Sequence, residues 1–547
     1  MFVAKLVSLF LLVASGQVGA FASTSSPLLR VESWALHRNY NSNKNNNPLL
    51  VSNTSPRRQS ASSVSLALAF PRGGAAAAAA SESVLSKLSK WNSTPSTLFN
   101  TSLIALALIT AVFKVAQRAE SSSSDDATEA TAKPASIVSL QRRFLAVFWL
   151  LRCADWLQGP YFYEVYASKV FNGAKASMSL VSKLFLTGFA STALFGPLVG
   201  RATDNYGRKK GTLAFSIIYA LGAISTKSPL LKVLFLGRVL SGIGTSLLFS
   251  APESWLVGEA QKSGDDPNGK YLGETFGLAY AGDSIVAILA GQLASIAATK
   301  RGPTGPFELS TGFLLVGGLI ASLLWKENVA ESSADSNAKP SIREAVEVVK
   351  NDPKIMLVGA TQSLFEAAMY IFVLQWPPAI SKSVVKAFGE GSATPYGTVF
   401  SCFMACCLLG STLFGQLAKM GVATEVFTSV FLAVATLAMT AATFTVSATS
   451  SAISMSLAGL MASFFAFEAT VGMYFPSIGT LRSKYVPDSH RSVIMNLFGI
   501  PLNLLVVSVF LSTEMLGLKG ALAVSSGALG VASLCMFKLR SMVATSS

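Results

Sequence analysis

The sequence predicts an all-α polytopic membrane protein made of two six-helix halves, with one extra helix ahead of them. Three observations carry the prediction. Of 547 residues, 51% are hydrophobic and only 13% charged, with mean hydropathy +0.50, about half the charge fraction of an ordinary soluble domain. The apolar residues gather into repeated runs of about 20, the length at which a helix crosses a bilayer core. A charged stretch, Lys326 to Lys354, separates six such runs from six more.

Met1 to Ala20 combines an early Lys5, an apolar stretch from Leu6 to Ala14 and small residues before Phe21, the pattern of a secretory signal peptide. Residues 21–95 form a leader. From Phe21 to Ala80 it is rich in Ser, Asn and Ala, and sets Arg30, Arg38, Lys44, Arg57, Arg58 and Arg72 against one acid, Glu32. That is transit-peptide composition. A signal peptide followed by such a segment resembles the bipartite presequence of secondarily acquired plastids; the alternative is a plain extension on a plasma-membrane protein. The expected residence is therefore a plasma membrane or a plastid envelope.

Residues 96–117 hold the extra helix, an apolar run from Ser96 to Lys114. A polar linker, 118–140, follows, and its acidic part, Glu120 to Lys133, reads as disordered. The N-terminal half, 141–325, contains runs at Phe144 to Tyr166, Leu180 to Val199, Thr212 to Ile224, Leu230 to Val257, Leu272 to Ala298 and Leu309 to Trp325. Segment 326–354, with polar ESSADSN and amphipathic SIREAVEVVKND, reads as a cytoplasmic central loop. The C-terminal half, 355–547, has runs at Ile355 to Trp376, Tyr396 to Leu417, Val422 to Val446, Ala452 to Phe475, Ser492 to Ser512 and Ala521 to Phe537. Phe195-Gly196-x-Leu198 and Phe414-Gly415-x-Leu417 echo each other at corresponding places, as repeated halves would.

The polar stretch GPLVGRATDNYGRKKG, Gly196 to Gly211, joins the second run to the third. Gly200, Asp204, Gly207, Arg208 and Lys209 fit G-x-x-x-D-x-x-G-R-R/K, which resembles the signature gating loop of the major facilitator superfamily. Glycines there let two helix ends approach, and Asp204 is placed to cap a helix or pair with a base. A plain juxtamembrane basic loop is the alternative. With this loop cytoplasmic, that side carries about twice the Lys and Arg of the other, as the positive-inside rule requires.

Five stretches sharpen the resemblance: ADWLQGPYFYEVY (Ala154 to Tyr166), Gly188 to Gly211, GRVLSGIGTSLLFSAPESWLVGE (Gly237 to Glu259), ATQSLFEAAMYIFVLQWPP (Ala360 to Pro378) and GMYFPSIGTLRSKYVPD (Gly472 to Asp488). Together they are similar to the molybdate-anion transporter branch of that superfamily, over most of Phe144 to Leu539. The resemblance implies secondary-active uptake of molybdate, a tetrahedral oxyanion dianion, by alternating access. Sulfate or an organic acid on the same fold, and a non-transporting anion sensor, are the alternatives.

Charged side chains are costly at mid-bilayer, about 2.5–3.5 kcal/mol each on insertion scales, so the few present are candidates. Arg152, Asp155 and Gln158 share one face before Gly159-Pro160 breaks the helix, either as a substrate element or as a satisfied Arg–Asp pair. Arg238 opens GRVLSGIG, and the superfamily resemblance implies that it faces the translocation path. A guanidinium fork suits an oxyanion; the alternative is a permanent pair with Asp155 or Glu253, the acid that ends the same run. Glu366 and Glu468 are isolated acids suited to carrying protons, or to pairing with Arg152 or Arg238. Asn496 and Asn503, flanking Pro501, are candidate donors to oxyanion oxygens, although membrane Asn more often joins helices. Tyr161, Tyr163, Tyr370 and Tyr474 are candidate cavity walls, and Arg482, Lys484 and Arg491 gate or topology charges.

Other classes are disfavoured. The net charge of +15 is scattered through loops and leader, with no basic face interleaved with aromatics, so no nucleic-acid partner is expected. Cys153, Cys402, Cys406, Cys407 and Cys535 lie inside apolar runs, and no metal or other cofactor is expected. With only His37 and His490, no phosphate-cradling motif and no sizeable soluble segment, the chain does not read as an enzyme. The expected partners are the oxyanion, protons and the lipid bilayer, around a monomer.

Overall fold

A computed structural model describes residues 94–122, 133–263, 270–329, 342–447, 453–487 and 490–546, all within one compact unit. The segments expected to be a signal peptide and leader, residues 1–93, and residues 123–132 of the expected linker lie outside them. The extra helix α1 spans Pro95–Ser122, past residue 118, where the sequence places the start of the linker, and into its acidic part. The N-terminal half follows as α2 (Ala135–Gln158), a 3-10 turn (Gly159–Tyr161), the short α3 (Phe162–Ala167), a hairpin of β1 (Val170–Phe171) and β2 (Ala174–Lys175), α4 (Met178–Tyr206), α5 (Arg208–Ser225), α6 (Leu231–Leu248), α7 (Ala251–Ser263), α8 (Lys270–Arg301) and α9 (Gly305–Leu324). After α10 (Ile342–Asn351), the C-terminal half comprises α11 (Pro353–Phe388), α12 (Tyr396–Lys419), α13 (Thr424–Ser447), α14 (Ile453–Tyr485), α15 (Arg491–Leu511) and α16 (Thr513–Ser546).

Ten spans among the described residues are long and apolar enough to cross a membrane, and one of them, the 54-residue Tyr271–Leu324, holds both α8 and α9. The two core helices outside that set are α2, which carries Arg142, Arg143, Arg152 and Asp155, and α5, which opens with Arg208, Lys209 and Lys210. Large apolar side chains face outward around the bundle, among them Leu194, Leu323, Phe444 and Leu534, each more than two-thirds exposed. In water such a surface would be a liability; in lipid it is the expected exterior. The protein is an integral multi-pass membrane protein.

Prolines set two breaks. Gly159-Pro160 ends α2 in a 3-10 turn, where the sequence expects an interruption. The fourth apolar run also breaks, at Phe249 and Ser250, because Pro252 has no N–H to continue the ladder and sits in the first turn of a new helix. Glu253 therefore lies in the first turn of α7 and does not end α6. The amphipathic central segment forms α10, whose Ala345, Val348 and Val349 pack with Ile494 and Phe498 of α15.

The two halves meet on the side away from the α4–α5 connection. Ser182 and Thr513 share a hydrogen bond of 3.1 Å, Phe185 meets Phe510 edge-on at 5.1 Å, and Ser401 donates to the Ile288 carbonyl at 2.7 Å. At the α8–α12 crossing a Cβ on Gly397 would stand 2.1 Å from the Gly291 carbonyl, and one on Gly291 2.5 Å from that of Gly397. Only two glycines allow this approach. Gly397→Val is expected to force these helices apart, lowering the thermal unfolding midpoint and slowing transport; an unchanged midpoint and rate would show that the crossing is not required. On the opposite side, Cβ atoms on Gly200, Gly273 and Gly277 would meet nothing within 4 Å.

α1 packs on α12 of the C-terminal half. Its Phe99 is fully buried, and the Phe99 carbonyl accepts from the Cys402 thiol at 3.3 Å.

Candidate functional site

The signature stretch is almost wholly helical. α4 runs to Tyr206 and α5 starts at Arg208, so the connection is one residue, Gly207, at φ +122°. That backbone region is closed to other residues at ordinary cost. A Cβ there would also lie 2.4 Å from the Glu327 carboxylate, which accepts from the Lys209 and Lys210 amides at 2.9 and 3.0 Å. Glu327 is thus the cap of α5. Asp204, placed by sequence to cap or to pair, pairs: it lies 3.4 Å from Arg208. Gly200 is not a contact glycine, since a Cβ at that position meets open space.

The clamp continues through Lys209, whose Nζ donates to the Ser322 carbonyl at 2.7 Å, and Arg208, whose amide donates to the Asn328 carbonyl at 3.0 Å. Asn328 in turn donates to the Trp255 carbonyl at 3.1 Å, and Trp255 stacks on Trp325 at 3.9 Å. The start of α5, the end of α9 and α7 are thereby one latch. Glu327→Ala leaves two first-turn amides without their acceptor and is expected to cost about 1 kcal/mol, read as a lowered unfolding midpoint with retained expression. A variant as stable as the parent would refute the capping role.

Arg152 is fully engaged. Its Nε and Nη2 grip both oxygens of Asp283 on α8 at 3.0 and 2.9 Å, and Nη1 lies 3.5 Å from Asp155. Trp156 Nε1 also donates to Asp283, at 2.8 Å, and its ring lies 4.8 Å from the guanidinium. Asp155 accepts from the Tyr219 hydroxyl of α5 at 2.6 Å. One cation faces two carboxylates, so this cluster ties α2, α5 and α8 together and carries no surplus positive charge for an anion. Gln158 leaves that face and donates to Ser310 of α9 at 2.9 Å.

Arg238 differs. Among the described residues no Asp or Glu oxygen lies within 4 Å of it. Its Nε donates to the Leu184 carbonyl at 3.4 Å, the Phe162 ring lies 4.6 Å away and the buried Tyr166 phenol interacts with it. The pairings allowed for it by sequence do not form, because Asp155 is taken by Arg152 and Tyr219, and Glu253 accepts from Tyr280 at 2.5 Å. The guanidinium lies over Gly188 of α4, where a Cβ would come within 2.3 Å of Nη2. Next to Gly188, Phe189 meets Tyr370 of α11 edge-on at 5.0 Å. Arg238 is therefore half-buried in the N-terminal half, beside the seam.

The two acids of the C-terminal half that the sequence singles out, Glu366 and Glu468, accept hydrogen bonds from neutral groups. Glu366, one helical turn before Tyr370, accepts from Tyr474 at 2.9 Å, with Gln362 alongside. Glu468 is 7% exposed and accepts from the Cys407 thiol at 3.0 Å. Neither forms an ion pair with Arg152 or Arg238. Asn496 is exposed and Asn503 half-buried on α15. Tyr161 packs edge-on against Tyr396 at 5.7 Å. Arg482 donates to the Ile478 carbonyl at 3.3 Å and Lys484 pairs with Glu425 at 2.6 Å. All five cysteines are free, and among the described residues no group of His, Cys, Asp and Glu is placed to hold a metal.

Sequence reasoning passed over Asp283, although a lone acid in an apolar helix was the signal it used elsewhere. It also passed over Glu327, which no motif marks.

The family model MFS_5, described as sugar transporters with 12 transmembrane helices, matches residues 98–467. The chain belongs to this major facilitator family. Its curated relatives include a molybdate-anion transporter from Takifugu rubripes, 29% identical over 67% of this chain and 77% of the relative. Another of the same name, from Danio rerio, is 29% identical over 69% and 79%. The resemblance to that branch is thus borne out. The structure of the nucleoside transporter NupG superposes with a TM-score of 0.55 at 15% identity, over 74% of this chain and 99% of that one, which supports the all-α major facilitator fold. The chain is a transporter and not an enzyme.

Proposed function

We propose that this transporter carries molybdate by alternating access, with Arg238 as the anion-binding group. The observation that carries the reading is Arg238 itself, a half-buried guanidinium in a membrane bundle with no carboxylate partner among the described residues. A planar fork of donors suits a tetrahedral oxyanion, and the substrate's identity comes from the names of the relatives. Binding energy then shifts the balance between two arrangements of the halves. With the signature connection cytoplasmic, as the charge bias indicates, the seam is shut on the far side and the protein faces the cytoplasm.

A dianion moving toward a negative compartment works against about 2.3 kcal/mol per charge for each 100 mV, so compensating cations are needed. Glu468, buried with no ion-pair partner among the described residues, suits a proton-carrying role, since an unpaired buried carboxylate is costly as an anion. Glu366, half-buried and within electrostatic reach of Arg482, is the second candidate. We place the protein as a monomer in a plasma membrane or plastid envelope.

The family description favours a sugar as the rival solute, which would leave the charge of Arg238 unused. Molybdenum accumulation by cells expressing the full chain decides between them. Saturable uptake at nanomolar molybdate that resists excess sulfate and excess sugar is the expected result. Sugar uptake with no molybdenum accumulation, at confirmed membrane expression, would reject the proposal.

A further inference from the structure

On the side of the bundle away from the signature connection, a cavity of about 500 Å³ lies between the halves. Asn100 of α1, Glu164 of α3, Gln292 and Ser295 of α8, and Tyr396 and Thr398 of α12 are on its wall. Its chemistry is the reverse of that at Arg238. Among the described residues, Glu164 is the only charged one on the wall, and it forms no ion pair there. Its Oε2 accepts from the Tyr396 hydroxyl at 3.1 Å. Ser295 and Thr398 hydroxyls lie 3.3 Å apart beside them. Two further wall groups, Gln292 Nε2 and the Thr394 hydroxyl, are buried with no protein hydrogen-bond partner.

A wall with one negative charge repels an oxyanion, so this cavity is not an extension of the Arg238 site. Carboxylate, phenol, hydroxyl and amide oxygens are hard donors, the kind that replaces water around an alkali or alkaline-earth ion. A single carboxylate matches a single positive charge. At about 30 Å³ per water, the volume exceeds a bare ion and admits one with its hydration shell, whose outward-pointing hydrogens the unpartnered Thr394 hydroxyl oxygen is placed to accept. We propose that the cavity binds a monovalent alkali cation at Glu164, and that this cation accompanies the oxyanion. The second clause rests on the carrier reading; the first does not. Because the wall is drawn from both halves, occupancy senses their arrangement, as a coupling ion must.

The test uses the purified full-length protein in lipid nanodiscs without oxyanion, titrated with NaCl or KCl against choline chloride at constant ionic strength. Trp376 lies 6.0 Å from Tyr396, so tryptophan fluorescence and the unfolding midpoint both report on the site. Wild type should respond saturably to one alkali chloride and not to choline chloride. Glu164→Gln, which keeps the shape and removes the charge, should weaken the response at least tenfold. Tyr396→Phe keeps the carboxylate and should weaken it severalfold, which covers misfolding of the first variant, and Arg238→Ala should respond as wild type. Molybdate uptake should require the same cation. Identical responses to all three salts, or a well-folded Glu164→Gln that titrates as wild type, would overturn the proposal. Cation binding with no molybdate uptake in any salt would uphold the site and count against the oxyanion reading.

Discussion

Arg238→Ala is expected to lower the apparent affinity for molybdate at least thirtyfold while leaving the protein folded. Truncating one member of a buried charged contact costs about 2–5 kcal/mol, and 1.4 kcal/mol is a factor of ten. Folding should survive, since the protein offers Arg238 no carboxylate to orphan, only a carbonyl at 3.4 Å and two aromatic neighbours. Arg238→Lys keeps the charge and loses the fork, and should fall between. Gly188 provides an independent handle on the same group. Gly188→Ala puts a methyl 2.3 Å from Nη2, so the guanidinium must leave its place and KM should rise with the unfolding midpoint nearly unchanged. In the Arg238→Lys background the same methyl has no fork to displace, so the two effects should be markedly less than additive. Full additivity, or wild-type uptake by Arg238→Ala, would remove Arg238 from the site.

The second large effect is on stability. Asp283→Ala takes from Arg152 both of its short bonds and leaves it with Asp155 at 3.5 Å. Breaking a buried pair from one side costs about 3–5 kcal/mol, whereas replacing both partners with well-packed apolar residues is often neutral. Asp283→Ala should therefore express poorly and unfold at lower temperature, and the double variant Arg152→Met with Asp283→Leu should recover much of the loss. A stable, active Asp283→Ala would mean that the cluster is dispensable. Such a result would also reopen Arg152 as an anion ligand, the role its sequence position suggested.

The contrast between the two arginines shows what sequence leaves open. Arg152 and Arg238 look alike in the chain, each a lone base in an apolar run. What separates them is a partner 131 positions away, Asp283. Local spacing pairs residues three or four apart on a helix, and it does place Asp155 near Arg152. It has no means of bringing α8 against α2. Glu327 is the same case, a capping residue about 120 positions from the helix it caps.

Sequence alone determined that the chain crosses a membrane many times, that it is all helical and that it resembles the molybdate-anion transporter branch of the major facilitators. Those properties follow from run length, composition and contiguous motifs, each of which is local along the chain. Only the tertiary structure decided which of the described charges form ion pairs and which do not, that one glycine makes the whole signature connection, and that a carboxylate-bearing cavity opens between the halves. Each of these depends on residues from separate helices, and the packing of one bilayer-spanning helix on another is set by small residues and shape complementarity, which no hydropathy pattern encodes.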